Sequence, residues 1–251
     1  MDFSIFQASD FALAACMFAG AALYTSVGHA GASAYIALMA LFGLPAPVMR
    51  PTALVLNILV ASLSSMRFLR AGLFRWRTLW PVLIGAIPMA FFGGSLHLPG
   101  NFYKPLVGAV LLVAAVRLLW NPKLPHADEV SDIPVMWGVV IGAAIGLLSG
   151  LTGTGGGIFL SPILLFFGWS ETRTTSGVAV VFILCNSIAG LLGNYSSVQS
   201  LPQELPLYAV AVIAGAVVGT SLGIGRLASP NILRALGLVL VIAGLKLLGT
   251  Y

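Results

Sequence analysis

The chain has 251 residues, 59% of them hydrophobic and 8% charged, with a formal net charge of +5. Soluble domains carry about 25% charged residues, so this composition cannot cover a water-facing surface and excludes an ordinary soluble enzyme or nucleic-acid binder. The basic residues fall in short stretches between apolar runs, where they read as topology signals and not as a nucleic-acid patch.

Apolar segments run at 10–27, 31–43, 51–66, 78–95, 104–120, 134–151, 157–169, 176–193, 205–225 and 232–249. A helix needs about 20 residues to cross a hydrocarbon core of about 30 Å, so most of these segments fit a crossing. Alternating segments of about 10 residues, as in a membrane β-barrel, are absent. The expected fold class is all-α: a polytopic helical membrane protein. The acidic start, Met1 to Ser4, lacks a basic leader region, so the first span is expected to remain in the mature protein. Cys16 and Cys185 lie in apolar runs and read as buried structural thiols, not as a disulfide or metal pair.

The second and seventh segments are short. Each follows a glycine-rich stretch: Gly28, His29, Ala30, Gly31 in one case and Gly153, Thr154, Gly155, Gly156, Gly157 in the other. Such density, with Pro162 behind the second, argues against continuous helix. Broken backbone inside a bilayer is tolerated only where it is buried in protein or lines a wet cavity, so both breaks are candidate binding sites.

The order of features repeats at an interval of about 125 residues. Gly28 aligns with Gly153, Leu41-Phe-Gly with Phe166-Phe-Gly, and Gly93-Gly-Ser-Leu with Gly219-Thr-Ser-Leu. The expected organisation is a first repeat at 1–120, a linker at 121–133 and a second repeat at 134–251. Five segments per half turn the second copy upside down. With the Arg67–Arg77 loop in the cytoplasm, that side holds Arg67, Arg70, Arg75, Arg77, Arg117, Lys123, Arg173, Arg226 and Arg234, against Arg50, Lys104 and Lys246 on the other. This asymmetry favours two inverted-topology repeats, with short broken helices at the centre and both termini outside.

Carboxylates are confined to termini and loops: Asp2, Asp10, Asp128, Glu129, Asp132, Glu171 and Glu204. A cation pathway usually recruits embedded acids, so an anion is the expected cargo and no metal site or cofactor is expected. Half-helix N-termini offer unsatisfied N–H groups and positive partial charge to an anion. The candidate substrate-binding set is Gly28, His29, Gly31, Ser33, Asn57, Thr152, Gly153, Thr154, Gly155, Gly156, Gly157 and Asn186, with Ser26 and Ser161 nearby. His29 is the candidate proton carrier, with a simple helix-end hydrogen bond as its structural alternative. Arg50 is the candidate pathway-entry residue, with interface anchoring as its alternative. Gly142, Gly146 and Gly150 read as helix-packing positions, and Trp76, Trp80, Trp120, Trp137 and Trp169 as interface anchors. Phosphate-loop and dinucleotide motifs fail, because no Lys follows Gly157 and position 158 is Ile. No Ser/His/Asp set or zinc pattern falls within the spans, so an enzyme is not expected.

The two glycine-rich entries, above all Thr152-Gly-Thr-Gly-Gly-Gly-Ile-Phe-Leu-Ser-Pro, each followed by a short apolar segment, a Gly and a turn, resemble the sulfite exporter TauE/SafE family of the 4-toluene sulfonate uptake permease group. The first copy departs from the pattern at Ala30 and Ala32. The resemblance implies transport of sulfite, sulfoacetate or related organosulfonates, or thiosulfate, across a bacterial inner membrane, with alternating access as the expected mechanism. The expected partners are a small sulfur-oxyanion or sulfonate substrate, the lipid bilayer and a second copy in a homodimer. An anion channel of the same architecture and a non-transporting scaffold subunit are the alternatives.

Overall fold

The computed structural model describes residues 7–119, 130–225 and 230–249. Trp120, most of the linker (121–129) and Arg226 lie outside the described residues, as do the side chains of Arg117 and Arg234. The described chain is helical, with no strand among its residues: α1 Ala8–Ser26, α2 Ala32–Leu41, α3 Ala46–Arg70, α4 Trp76–Ser95, α5 Gly100–Leu119, α6 Val135–Thr152, α7 Gly157–Phe166, α8 Thr172–Gly193, α9 Leu205–Gly225 and α10 Pro230–Leu247, with a 3-10 turn at Tyr195–Ser200. Six helices, α1, α3, α4, α6, α8 and α9, are long and apolar enough to cross a membrane by length and composition. At 10 residues each, α2 and α7 extend about 15 Å, half a hydrocarbon core.

Local chemistry explains the ends. The Gln7 N–H donates to Asp10 Oδ2 at 2.8 Å and closes the first turn of α1. α1 stops at Gly28, whose φ of +76° lets the Gly28 N–H reach Thr25 O and the His29 N–H reach Tyr24 O. α3 begins at Ala46, five residues before the expected 51, because Pro47 sits in the first helical turn, where proline loses no intrahelical bond.

Direct contacts sort the turns onto two faces. On one, the Arg75 guanidinium donates to Asp132 Oδ1 at 3.0 Å and the Ser131 N–H to Gly168 O at 3.1 Å. On the other, His97 Nε2 meets Ser196 Oγ at 3.0 Å and Lys246 Nζ donates to Leu41 O at 3.0 Å. α1 ends near the first face, where Ser176 Oγ, early in α8, donates to Val27 O at 3.3 Å. α6 starts on that same face. Helices pair across the midpoint of the chain: α4 with α6 and α9 with α1, α4 with α8 and α9 with α3, α3 with α8, and α5 with α10.

Small residues bring the main pairs into backbone contact. A Cβ on Gly142, Gly146 or Gly150 would fall on the carbonyl oxygens of Val82, Ala86 or Ala90 of α4. On α9, Gly215, Gly219 and Gly223 press in the same way on Phe18, Ala22 and Ser26 of α1. Two expectations change. Cys16 is exposed instead of buried, on the side of α1 that it shares with the exposed Ala15, Phe18 and Ala19. Trp169 is 9% exposed and stacks on Phe167 at 4.7 Å, so packing against the α7 end replaces interface anchoring.

Candidate functional site

The two breaks approach each other through their downstream ends. His29, in the first, places Nε2 3.1 Å from Gly157 O at the start of α7 and 3.2 Å from Ser161 Oγ. Its Nδ1 lies 3.1 Å from Val27 O. Two carbonyls facing both ring nitrogens are satisfied together by the doubly protonated imidazole, which donates to each. The neutral ring keeps one N–H for Val27 O, and its bare Nε2 can accept from Ser161 Oγ. The geometry therefore holds a partner for either protonation state. Tyr24 packs edge-on to the imidazole, with ring centroids 6.2 Å apart, and its hydroxyl accepts from Ser33 Oγ at 2.7 Å.

Asn57, fully buried in α3, ties the halves together. Its Oδ1 accepts from the Ala32 N–H at 3.1 Å, capping the N-terminus of α2, and its Nδ2 donates to Ser187 Oγ of α8 at 3.1 Å. Asn186, equally buried, lies against the other break: a Cβ on Gly156 would sit 3.3 Å from its Nδ2. Both amide atoms of Asn186 lack a partner. Gly155 is wedged between Asn57, Ile183 and Ser187, with φ +77°, and Gly156 has φ +79°. An L side chain at either position is strained as well as crowded. The first amides of α2 and α7 have no acceptor within their own helices.

His29, Gly31, Ser33, Asn57, Thr154 and Gly157 line one small cavity, joined by Tyr24, Ile158 and Ile183. Its volume is about 10 Å³, room for one water at most. Thr152, Gly153, Gly155, Gly156 and Asn186 stand behind this lining. Thr152 Oγ1 meets Thr154 Oγ1 at 2.9 Å, and Gly153 packs on Arg50. Gly28 lies off the cavity, pressed against Ser176 of α8. Arg50 is buried, and its guanidinium donates to Gly93 O, Gly94 O and Leu96 O at 2.7, 2.6 and 3.0 Å. It thereby caps the C-terminus of α4.

Sequence reasoning missed Tyr24, Tyr35 and Ser187. The Tyr35 hydroxyl donates to Ala30 O at 2.6 Å and holds the first break. A polar pair in the middle of an apolar helix, Asn186-Ser187, was the available signal for Ser187. No cluster of His, Cys, Asp or Glu able to hold a metal occurs among the described residues.

The model of the family described as sulfite exporter TauE/SafE matches residues 12–247. A probable membrane transporter protein of Sinorhizobium fredii is 38% identical over 239 residues, covering 94% of this chain and 97% of its own. A probable membrane transporter protein of Methanocaldococcus jannaschii is 27% identical over 146 residues, 56% of this chain and 53% of its own. The probable membrane transporter protein MamO of Paramagnetospirillum magneticum is 23% identical over 226 residues, 74% of this chain and 35% of its own. No solved structure matches.

Proposed function

The chain belongs to the sulfite exporter TauE/SafE family and is a multi-pass membrane transporter; from that premise we propose that it carries small sulfur-containing anions by alternating access. The cargo class is sulfite, sulfoacetate or related organosulfonates, and thiosulfate, across a bacterial inner membrane with the Arg67–Arg77 face in the cytoplasm.

One observation carries the reading: two half-helix N-termini meet at one cavity that, among the described residues, is lined by hydrogen-bond donors and no carboxylate. Amide N–H groups and helix dipoles suit an oxyanion and oppose a cation. The halves, 1–120 and 134–251 on either side of the linker, act as inverted repeats. Support comes from the pairing of α4 with α6 and α9 with α1, and from α6 starting on the face where α1 ends.

The cavity of about 10 Å³ is too small for a sulfur oxyanion and corresponds to an occluded arrangement between two open ones. Thr152–Gly153–Thr154 against Arg50 closes one side, and Gly28 against Ser176 the other. Opening requires the breaks to part, and their glycine backbone permits that motion. His29 carries the coupling proton, exchanging Gly157 O for Ser161 Oγ as it discharges.

Uptake of radiolabelled sulfite and sulfoacetate into proteoliposomes tests the proposal. Saturable flux that responds to an imposed pH gradient is expected. Unitary currents without saturation would replace the carrier by a channel, and absence of flux for every sulfur anion would end the assignment.

A further inference from the structure

A second cavity, about 190 Å³, opens on the face that carries the α4–α5 and α8–α9 turns. Its polar lining is Arg50, His97, Tyr103, Asn194 and Ser197, with no Asp or Glu among the described residues that line it. Two of its buried polar groups are incompletely satisfied. Arg50, 6% exposed, spends both Nη atoms on the end of α4, while its Nε has no partner. Asn194, 2% exposed, accepts from Ser197 Oγ at 2.8 Å through Oδ1, while its Nδ2 has no partner.

Buried donors are normally paired, and an unpaired one marks a group awaiting an acceptor. Here both donors belong to residues that line the same space, one of them carrying a full positive charge, and the space holds about six water volumes. The two nitrogens themselves are sealed from it, and a small turn of each side chain presents them to an acceptor-only ligand of small size and negative charge. We infer that this cavity is a binding site for a small inorganic oxyanion, held by the Arg50 guanidinium and the Asn194 amide, with His97 at the rim.

The site is separate from the central cavity and serves it as a loading station, a role that rests on the transport reading. Arg50 lines the outer cavity and touches Gly153, while the next residue, Thr154, lines the inner one. The Tyr103 hydroxyl donates to Thr152 O at 3.2 Å across the same wall. A single strand of backbone, 152–154, therefore divides the two cavities.

The test uses the full chain in lipid nanodiscs, with radiolabelled sulfite and sulfate as probes. Asn194→Asp is isosteric, keeps an acceptor for Ser197 Oγ and sets a carboxylate where the donor stood. It is expected to weaken binding at least about tenfold without loss of thermal stability. Asn194→Ala removes the donor without adding charge and is expected to weaken binding about threefold or more. Wild-type affinity in both Asn194 variants, or no anion bound by the wild-type chain, overturns the inference. Binding that vanishes in Asn194→Asp from a chain that moves no sulfite in proteoliposomes would uphold this site and defeat the transport reading alone.

Discussion

α2 is enclosed, with Tyr35, Ile36, Ala37 and Met39 at 0% exposure, and it packs against α1, α3, α5 and α10. α7, of the same length, packs chiefly against α8 and leaves Phe166 66% exposed. The N-termini differ in the same sense. α2 gives the Ala32 N–H to Asn57 Oδ1, whereas Asn186 beside α7 has no partner for either amide atom. The first break is therefore internally satisfied and carries the titratable His29. The second is built from bare glycine backbone and keeps unspent hydrogen-bonding capacity. Under the proposed carrier mechanism, a substrate oxyanion would find its new partners on the second half, and the first half would serve as the fixed frame. Elements with fewer buried contacts open at lower cost, so the same proposal assigns the motion to α7.

Gly155→Leu should have the largest effect on this contrast. It adds a side chain at φ +77° against Asn57 and Ile183, and sulfite flux in proteoliposomes should fall about a hundredfold or more. Gly43→Ala is its control: φ is +82° and nothing lies within 4 Å. Strain alone should lower stability by about 1–2 kcal/mol in thermal unfolding and leave flux intact. Loss of flux in both variants would mean that any strained glycine matters and would dissolve the contrast.

His29→Gln comes next. Acceleration of flux by an imposed pH gradient should fall about tenfold while flux at equal pH persists. A retained pH response would move the proton carrier elsewhere.

The asparagine pair sharpens the comparison most directly. Asn57→Ala removes two buried hydrogen bonds and should cost about 1–3 kcal/mol of stability. Asn186→Ala removes an unsatisfied amide and should leave the unfolding temperature unchanged or raised, while lowering flux. Equal destabilisation by both would show that the two halves are held alike.

Asp132→Asn should have the smallest effect. Its ion pair with Arg75 is largely solvent-exposed, with side chains 37% and 55% accessible, and should contribute less than about 1 kcal/mol, declining with salt.

Much of the fold was legible in the residue string because it is local. Apolar runs bounded by glycine and proline mark the ten helices of the described residues, and Gly142, Gly146 and Gly150 announce a close helix contact that α4 fills. α3 starts at Ala46 and not at 51, and it carries Pro51 in its interior, where the packed helix accommodates proline. Of the candidate site residues, His29, Gly31, Ser33, Asn57, Thr154 and Gly157 converge on the cavity. Gly28 terminates α1, and Arg50 caps α4 while lining a different cavity.

The chain's own order of residues determined its solvent, the ten helices of the described residues and the places where helix must stop, since each depends on neighbours a few positions away. Which donors remain unspent was decided only in three dimensions. Asn57 and Asn186 are the same residue in similar apolar stretches, yet one meets Ala32 and Ser187 and the other meets no acceptor or donor. A hydrogen bond between residues 130 positions apart is set by how whole helices stack, and no local pattern encodes that.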